Sequence, residues 1–287
     1  MTPTAIATRD FLPSNTATVL AHLRATLDST PIDRRMAGMG RATPLRAGEL
    51  LLRLQPGTRA PSPSGSPLFD VAGVVAETAL DAGGFAVGDR VFGVARDHHW
   101  RDDVGYVRAT AGHVAKLGRA LAPGQAATLA SSATTAWRML FRRGRLEPGE
   151  IVTVIAARSA VGALALQLAR AHDVHAIVVS PSDGNHRWRA LGANRVADIR
   201  TGALESACRV AAVVVDTVGG VIQQRALSAM QEGGVLLSCA SRPDMSRTRA
   251  GASAEFVETR VTSRDLARIA GLIDAGRLVP ELDDWLP

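Results

Sequence analysis

From Ile151 onward the chain alternates apolar, β-branched runs with helical stretches, and this alternation constrains the fold more than any other feature. 151-IVTVIA-156 leads into the helical 161-VGALALQLARAH-172, and 174-VHAIVVS-180 reads as a second strand. The pattern continues with a helix around 183-DGNHRWRALG-192, the strand 195-RVADI-199, the helical 202-GALESAC-208, the strand 210-VAAVVVDTV-218, the helix 221-VIQQRALSAM-230 and the strand 233-GGVLLSCA-240. Strands without polar alternation need cover on both faces, and strands joined through helices pair in parallel. The expected fold class is therefore α/β, a doubly wound parallel sheet of the Rossmann type. A helix over 125–143, ending near Gly144, precedes it. The polar 241–256 reads as a surface loop, and 263–278 as an amphipathic helix with Leu266, Ile269, Leu272 and Ile273 on one side.

The first third has a different texture. SNTATVLAHLRATLDS, from Ser14, reads as a short helix capped by Ser14 or Asn15. Beyond it, 48-GELLLRL-54, 69-FDVAGVVAET-78 and 89-DRVFGVA-95 read as strands, with 55-QPGTRAPSPSGSP-67 as a loop and 83-GGFAVG-88 as a turn. The change near residue 123 divides the chain into a dinucleotide-binding domain, 123–256, and a smaller β-rich domain, 1–122 plus 257–287.

Composition excludes several classes. No apolar run reaches the roughly 18 residues of a membrane helix, since Arg158 and Ser159 break 151–169. MTPTAIATRDF lacks the basic start and apolar core of a secretion signal, so the expected address is cytoplasmic. Two cysteines and seven histidines, of which only His98 and His99 are adjacent, do not supply the spacing of a zinc site, so no metal is expected. The formal charge of +6 comes from arginines scattered among acids, with one tyrosine and six phenylalanines to stack on bases, which argues against nucleic acid.

Nine short motifs, in order, resemble one family: 70-DVAGVV-75, 87-VGDRVFG-93, 134-TTAW-137, 147-EPGEIVTV-154, 161-VG-162, 191-LGA-193, 215-VDTVGG-220, 232-EGGVLLS-238 and 272-LIDAGRL-278. They are similar to the medium-chain dehydrogenase/reductase superfamily, in its zinc-free quinone oxidoreductase and enoyl reductase branch. The resemblance implies a Rossmann domain embedded in a smaller, split, GroES-like catalytic domain, a nicotinamide cofactor in the cleft between them, a small unsaturated substrate and a homodimer. The dimer would pair the sheet edge at 233–240 with its mate. The catalytic domain looks shortened, with a short PSPSGSP loop and no closing helix and strand after Trp285.

The departures fall on the site. In that branch the turn after the first Rossmann strand resembles Ala-x-x-Gly-x-x-Gly, and here it reads Ala156, Ser159, Gly162. Ser159 either obstructs a phosphate oxygen or donates to it, and Arg158 is a possible charge partner. The second strand ends at Ser180 where an NAD site carries a carboxylate, and His186 and Arg187 stand nearby, so NADPH is expected over NAD, bound weakly or lost. The implied cofactor-binding residues are Thr135, Ser159, Ala160, Val161, Gly162, Ser180, Arg187, Val218 and Cys239. Catalytic candidates are Tyr106, Asp70, His98 and His99, with Asp102, Asp103 and His113 as further acid-base groups. Three functions follow: an NADPH-dependent reductase of a conjugated enone, enoyl or quinone; a redox-neutral cyclase, isomerase or dehydratase on the same fold; and a non-catalytic partner or scaffold.

Overall fold

A computed structural model describes residues 44–61, 68–96, 105–118, 121–156, 159–180, 185–248 and 251–279. The chain divides into a short unit, Met1–Pro44, and a large one, Leu45–Pro287. The expected helix from Ser14 falls in the first, outside the described residues.

The large unit contains two sheets. Strands β1 (Glu49–Pro61), β2 (Leu68–Thr78), β3 (Arg90–Arg96), β4 (Tyr106–Thr110) and β5 (Val114–Lys116) form a five-stranded sheet in the order β4-β1-β2-β3-β5. Every pairing in it is antiparallel. One face buries Leu50, Leu52, Val71, Val75, Val91 and Val107 as a core of its own. The expected loop over 55–67 is corrected at its start, because β1 runs on to Pro61. The register against β2 shifts between Leu54 and Arg59, and Pro56, which has no N–H to give a ladder, falls within that irregularity.

The second sheet has six parallel strands: β6 (Ile151–Ile155), β7 (His175–Ser180), β8 (Arg195–Asp198), β9 (Val213–Asp216), β10 (Val235–Ser238) and β11 (Ser253–Phe256). Their order is β11-β10-β9-β6-β7-β8, so β6 lies inside the sheet, as its unbroken apolar run requires. Alternate residues of the same strands enter two cores. Val152, Val154, Val178 and Val215 pack toward one, with Leu164, Leu168 and Trp188; Ile155, Val179 and Val214 pack toward the other, with Leu204 and Leu227. Helices α3 (Ala160–Ala171) and α4 (Asn185–Leu191) thus cover one face, and α5 (Ala203–Val210) and α6 (Gly220–Ala229) the other. Each fully buried leucine contributes about 1.5–3 kcal/mol.

The structure revises the remaining expectations. The helix expected over 125–143 is three pieces: α1 (Pro123–Ala126), α2 (Ala130–Trp137) and a π-helical segment, Arg138–Arg143. All eight residues of α2 are buried, so no polar face marks its limits in the sequence. The expected surface loop over 241–256 holds β11, which pairs with β10 from Val235↔Ser253 to Ser238↔Phe256. Consequently β10 is not an edge, and among the described residues the edge on that side is β11. The last helix, α7 (Ser263–Asp274), starts at Thr262, whose hydroxyl accepts from the Asp265 amide, and stops before Gly276 at φ +66°. It packs against β5 and α2.

Candidate functional site

Strands β7 and β8 follow β6 in one direction, whereas β9, β10 and β11 lie in the other. The sheet therefore has a switch point between β6 and β9, and a doubly wound sheet opens a crevice at the carboxyl ends of its strands there. Three segments reach that end: Ala156 with the start of α3, the turn Thr217–Gly220 after β9, and Cys239–Ser241 after β10.

The first segment is built on close packing. A Cβ at Gly162 would meet the Ala156 Cβ at 2.9 Å, so only glycine lets α3 lie this near β6. Ser159 is the N-cap of α3, and its Oγ accepts from the Gly162 amide at 3.4 Å. The hydroxyl thus turns into the helix start and takes an amide that would otherwise face an anion. Ala160 is half-buried, Val161 is buried, and Arg158 lies outside the described residues.

The second and third segments meet on Asp216, to which the sequence alone assigns no role. Asp216 is completely buried and accepts from the Val218 and Gly219 amides, from Gln223 Nε2 and from Ser238 Oγ. Cys239 is half-buried, and burial, aided by Asp216, pushes its thiol up to about 12, so it stays protonated. Thr135 on α2 is buried with its hydroxyl 3.0 Å from that of Thr259, beyond the end of β11.

At the end of β7 the Ser180 hydroxyl accepts from Trp188 Nε1 at 3.0 Å, and both residues are buried. On α4, His186 is exposed and Arg187 half-buried. The carboxyl ends of β6, β7, β9 and β10 thus carry Ser159–Gly162, Ser180, Val218 and Cys239. Sequence reasoning missed Asp216, Gln223, Ser238, Trp188 and Thr259; the one available signal was an aspartate ending an apolar strand before Gly-Gly.

The catalytic candidates are not brought together in this way. His98, His99, Asp102 and Asp103 lie outside the described residues, and His113 is exposed on a turn before β5. Tyr106, half-buried, opens the edge strand β4 and pairs with Arg53, which pairs in turn with Val74 on β2. Asp70 is on β2 as well, only 1% exposed, accepting from both the Ser131 amide at 2.9 Å and the Ser131 hydroxyl. Burial raises its carboxyl to about 7 in spite of those bonds, and the contact joins the five-stranded sheet to the start of α2.

Among the described residues no three His, Cys, Asp or Glu side chains are grouped to hold a metal, and no helix is long and apolar enough to cross a membrane.

A family model described as zinc-binding dehydrogenase matches residues 160–268, from α3 into α7. A mitochondrial NAD(P)H oxidoreductase of Bos taurus is 27% identical over 252 residues, covering 76% of this chain; the chain spans 63% of that relative's length. Among solved structures, the quinone oxidoreductase of Coxiella burnetii superposes with a TM-score of 0.70 at 21% identity, covering 83% of each chain. The Escherichia coli quinone oxidoreductase complexed with NADPH does so with a TM-score of 0.64 at 19% identity, covering 83% of this chain and 84% of its own. A parallel sheet with a glycine-packed first helix, an antiparallel sheet joined to α2 through Asp70, and these likenesses agree: over residues 160–268 the chain is similar to the zinc-binding dehydrogenases, and its fold is that of the quinone oxidoreductases.

Proposed function

We propose that the chain is a reductase that uses NADPH and acts on a conjugated enone, enoyl or quinone substrate. The observation that carries this reading is the switch point between β6 and β9, where the start of α3 and the Val218–Gly219 turn lie at the same, carboxyl end of the sheet. The names of the bovine relative and of the E. coli enzyme with NADPH support it.

The residues fit a dinucleotide in two respects. The Gly162 contact leaves no room for a Cβ between α3 and β6, and a helix N-terminus beside it favours an anion such as a pyrophosphate. Bound there, a nicotinamide supplies the hydride. The chain's own part is to bind and orient: α3 and Ala160–Gly162 hold the phosphates, Arg187 meets a 2′-phosphate, and Thr135, Val218 and Cys239 border the reacting end. Tyr106 is the proposed proton donor, from the β-rich domain of 1–122 plus 257–287 against the dinucleotide-binding domain of 123–256. Ser159 makes the binding weak. A homodimer forms through the β11 edge.

A redox-neutral cyclase, isomerase or dehydratase on the same fold is the second reading. It is favoured by the Ser159 hydroxyl, which occupies the Gly162 amide. Titration of the purified protein with NADPH and NADH, followed by nicotinamide fluorescence, separates the two. The reductase reading expects NADPH to bind more tightly than NADH and to be oxidised in the presence of an enone or quinone. No binding of either at millimolar concentration sinks it.

A further inference from the structure

The carboxylate of Asp216 does more than end a strand. Its Oδ1 accepts from the amides of Val218 at 3.0 Å and Gly219 at 2.9 Å, on the turn after β9. Its Oδ2 accepts from Gln223 Nε2 at 2.8 Å and Ser238 Oγ at 2.7 Å. Both of these donors then engage the loop after β10. Ser238 Oγ accepts from the amides of Ala240 at 3.2 Å and Ser241 at 3.3 Å, and Gln223 Nε2 also donates to the Ser241 carbonyl at 3.0 Å. The hydroxyl's one proton and two lone pairs, and both protons of the amide, are all used.

The two loops also touch. Gly219, at φ +75°, would place a Cβ 2.7 Å from Ser241 Oγ. Val218 is the side chain that the turn leaves at the surface, 36% exposed. An apolar contact would join the loops with less desolvation than a buried carboxylate, but only directional, charge-assisted bonds set their spacing. Every polar side chain in the network serves the crevice end of the sheet.

We propose that Asp216 is a positioning residue that locks Thr217–Gly220 and Cys239–Ser241 into one rigid rim of the nucleotide crevice before any ligand arrives. The inference rests on the nucleotide-binding reading above. It goes beyond it by placing the shape of the nicotinamide end under a residue that touches neither cofactor nor substrate.

The test uses the full chain without nucleotide, by amide hydrogen exchange, and then with NADPH, by fluorescence titration. Asp216→Asn is expected to raise exchange at Ala240 and Ser241, whose amides do not bond to the Asp216 side chain, together with Val218 and Gly219, by about tenfold or more. NADPH affinity falls by about tenfold. Leu227→Ala, on the same helix as Gln223 and outside the network, controls for lost stability and leaves affinity within about twofold at a comparable drop in thermal midpoint. Ser238→Ala produces the same pattern at smaller amplitude and replaces Asp216→Asn if that variant does not fold. Exchange that rises only at Val218 and Gly219 overturns the proposal, because the loops are then independent. An equal loss of affinity in Leu227→Ala also overturns it. If the parent binds no NADPH, the reductase reading fails, and the rim stands or falls on the exchange result.

Discussion

Trp188 Nε1 donates to Ser180 Oγ across 3.0 Å inside the core, so the hydroxyl that ends β7 is held against α4. On the proposed NADPH reading, recognition of a 2′-phosphate falls to Arg187, whose planar guanidinium suits phosphate. Arg187→Ala is expected to weaken NADPH binding by about tenfold and leave NADH unchanged. Ser180→Ala removes a neutral hydrogen bond and costs about 1 kcal/mol of stability, with the ratio of NADPH to NADH affinity unmoved. Parallel titrations and thermal melts of the two variants check this. A collapse of that ratio in Ser180→Ala would place the hydroxyl on the nucleotide instead.

Ser159 both caps α3 and holds the Gly162 amide. Ser159→Ala is expected to destabilise the fold by about 1 kcal/mol, and Ser159→Gly by only a few tenths. Because glycine frees that amide for a phosphate oxygen, Ser159→Gly should tighten NADPH binding several-fold. Weaker binding in this variant would make the hydroxyl a ligand.

Asp70 predicts a pH dependence of stability. Burial raises its carboxyl from an ordinary 3.8 to about 7 in the folded chain. As pH rises above about 4 the unfolded chain releases this proton first, so the folded state's advantage is full below that pH, declines toward pH 7 and is flat above it. Asp70→Asn retains an oxygen for the Ser131 amide and offers an N–H to the Ser131 hydroxyl without a charge. Its thermal midpoint should fall less than the parent's between pH 4 and 7 and exceed it at pH 8. Superimposable profiles would show that Asp70 does not titrate in this range.

The β11 edge carries the dimer prediction. Ser253 and Val257 direct their amides to the β10 side, at Gly234 and Ser238, and strand alternation turns the Ala254 amide outward. Ala254→Pro removes an outward donor while leaving those bonds in place. Light scattering should report a dimer for the parent and a monomer for the variant at micromolar concentration. A parent that scatters as a monomer throughout would end the idea.

The parallel sheet was legible because its signal is local. A run such as IVTVIA must be covered on both faces wherever it lies, and one glycine after it is enough to seat a helix against the strand. What the sequence could not determine is which distant groups those strands carry to one another. Asp70 meets Ser131 across 61 positions, Thr135 meets Thr259 across 124, and the four donors on Asp216 come from a turn, a helix and the next strand. The short strand Ser253–Phe256 is polar enough to pass for a loop until β10 offers it a ladder. Periodicity depends on neighbours two to four residues apart, and that is settled along the chain. Buried polar bonds depend on groups that only the assembled topology brings within about 3 Å, so their partners are decided in the tertiary structure.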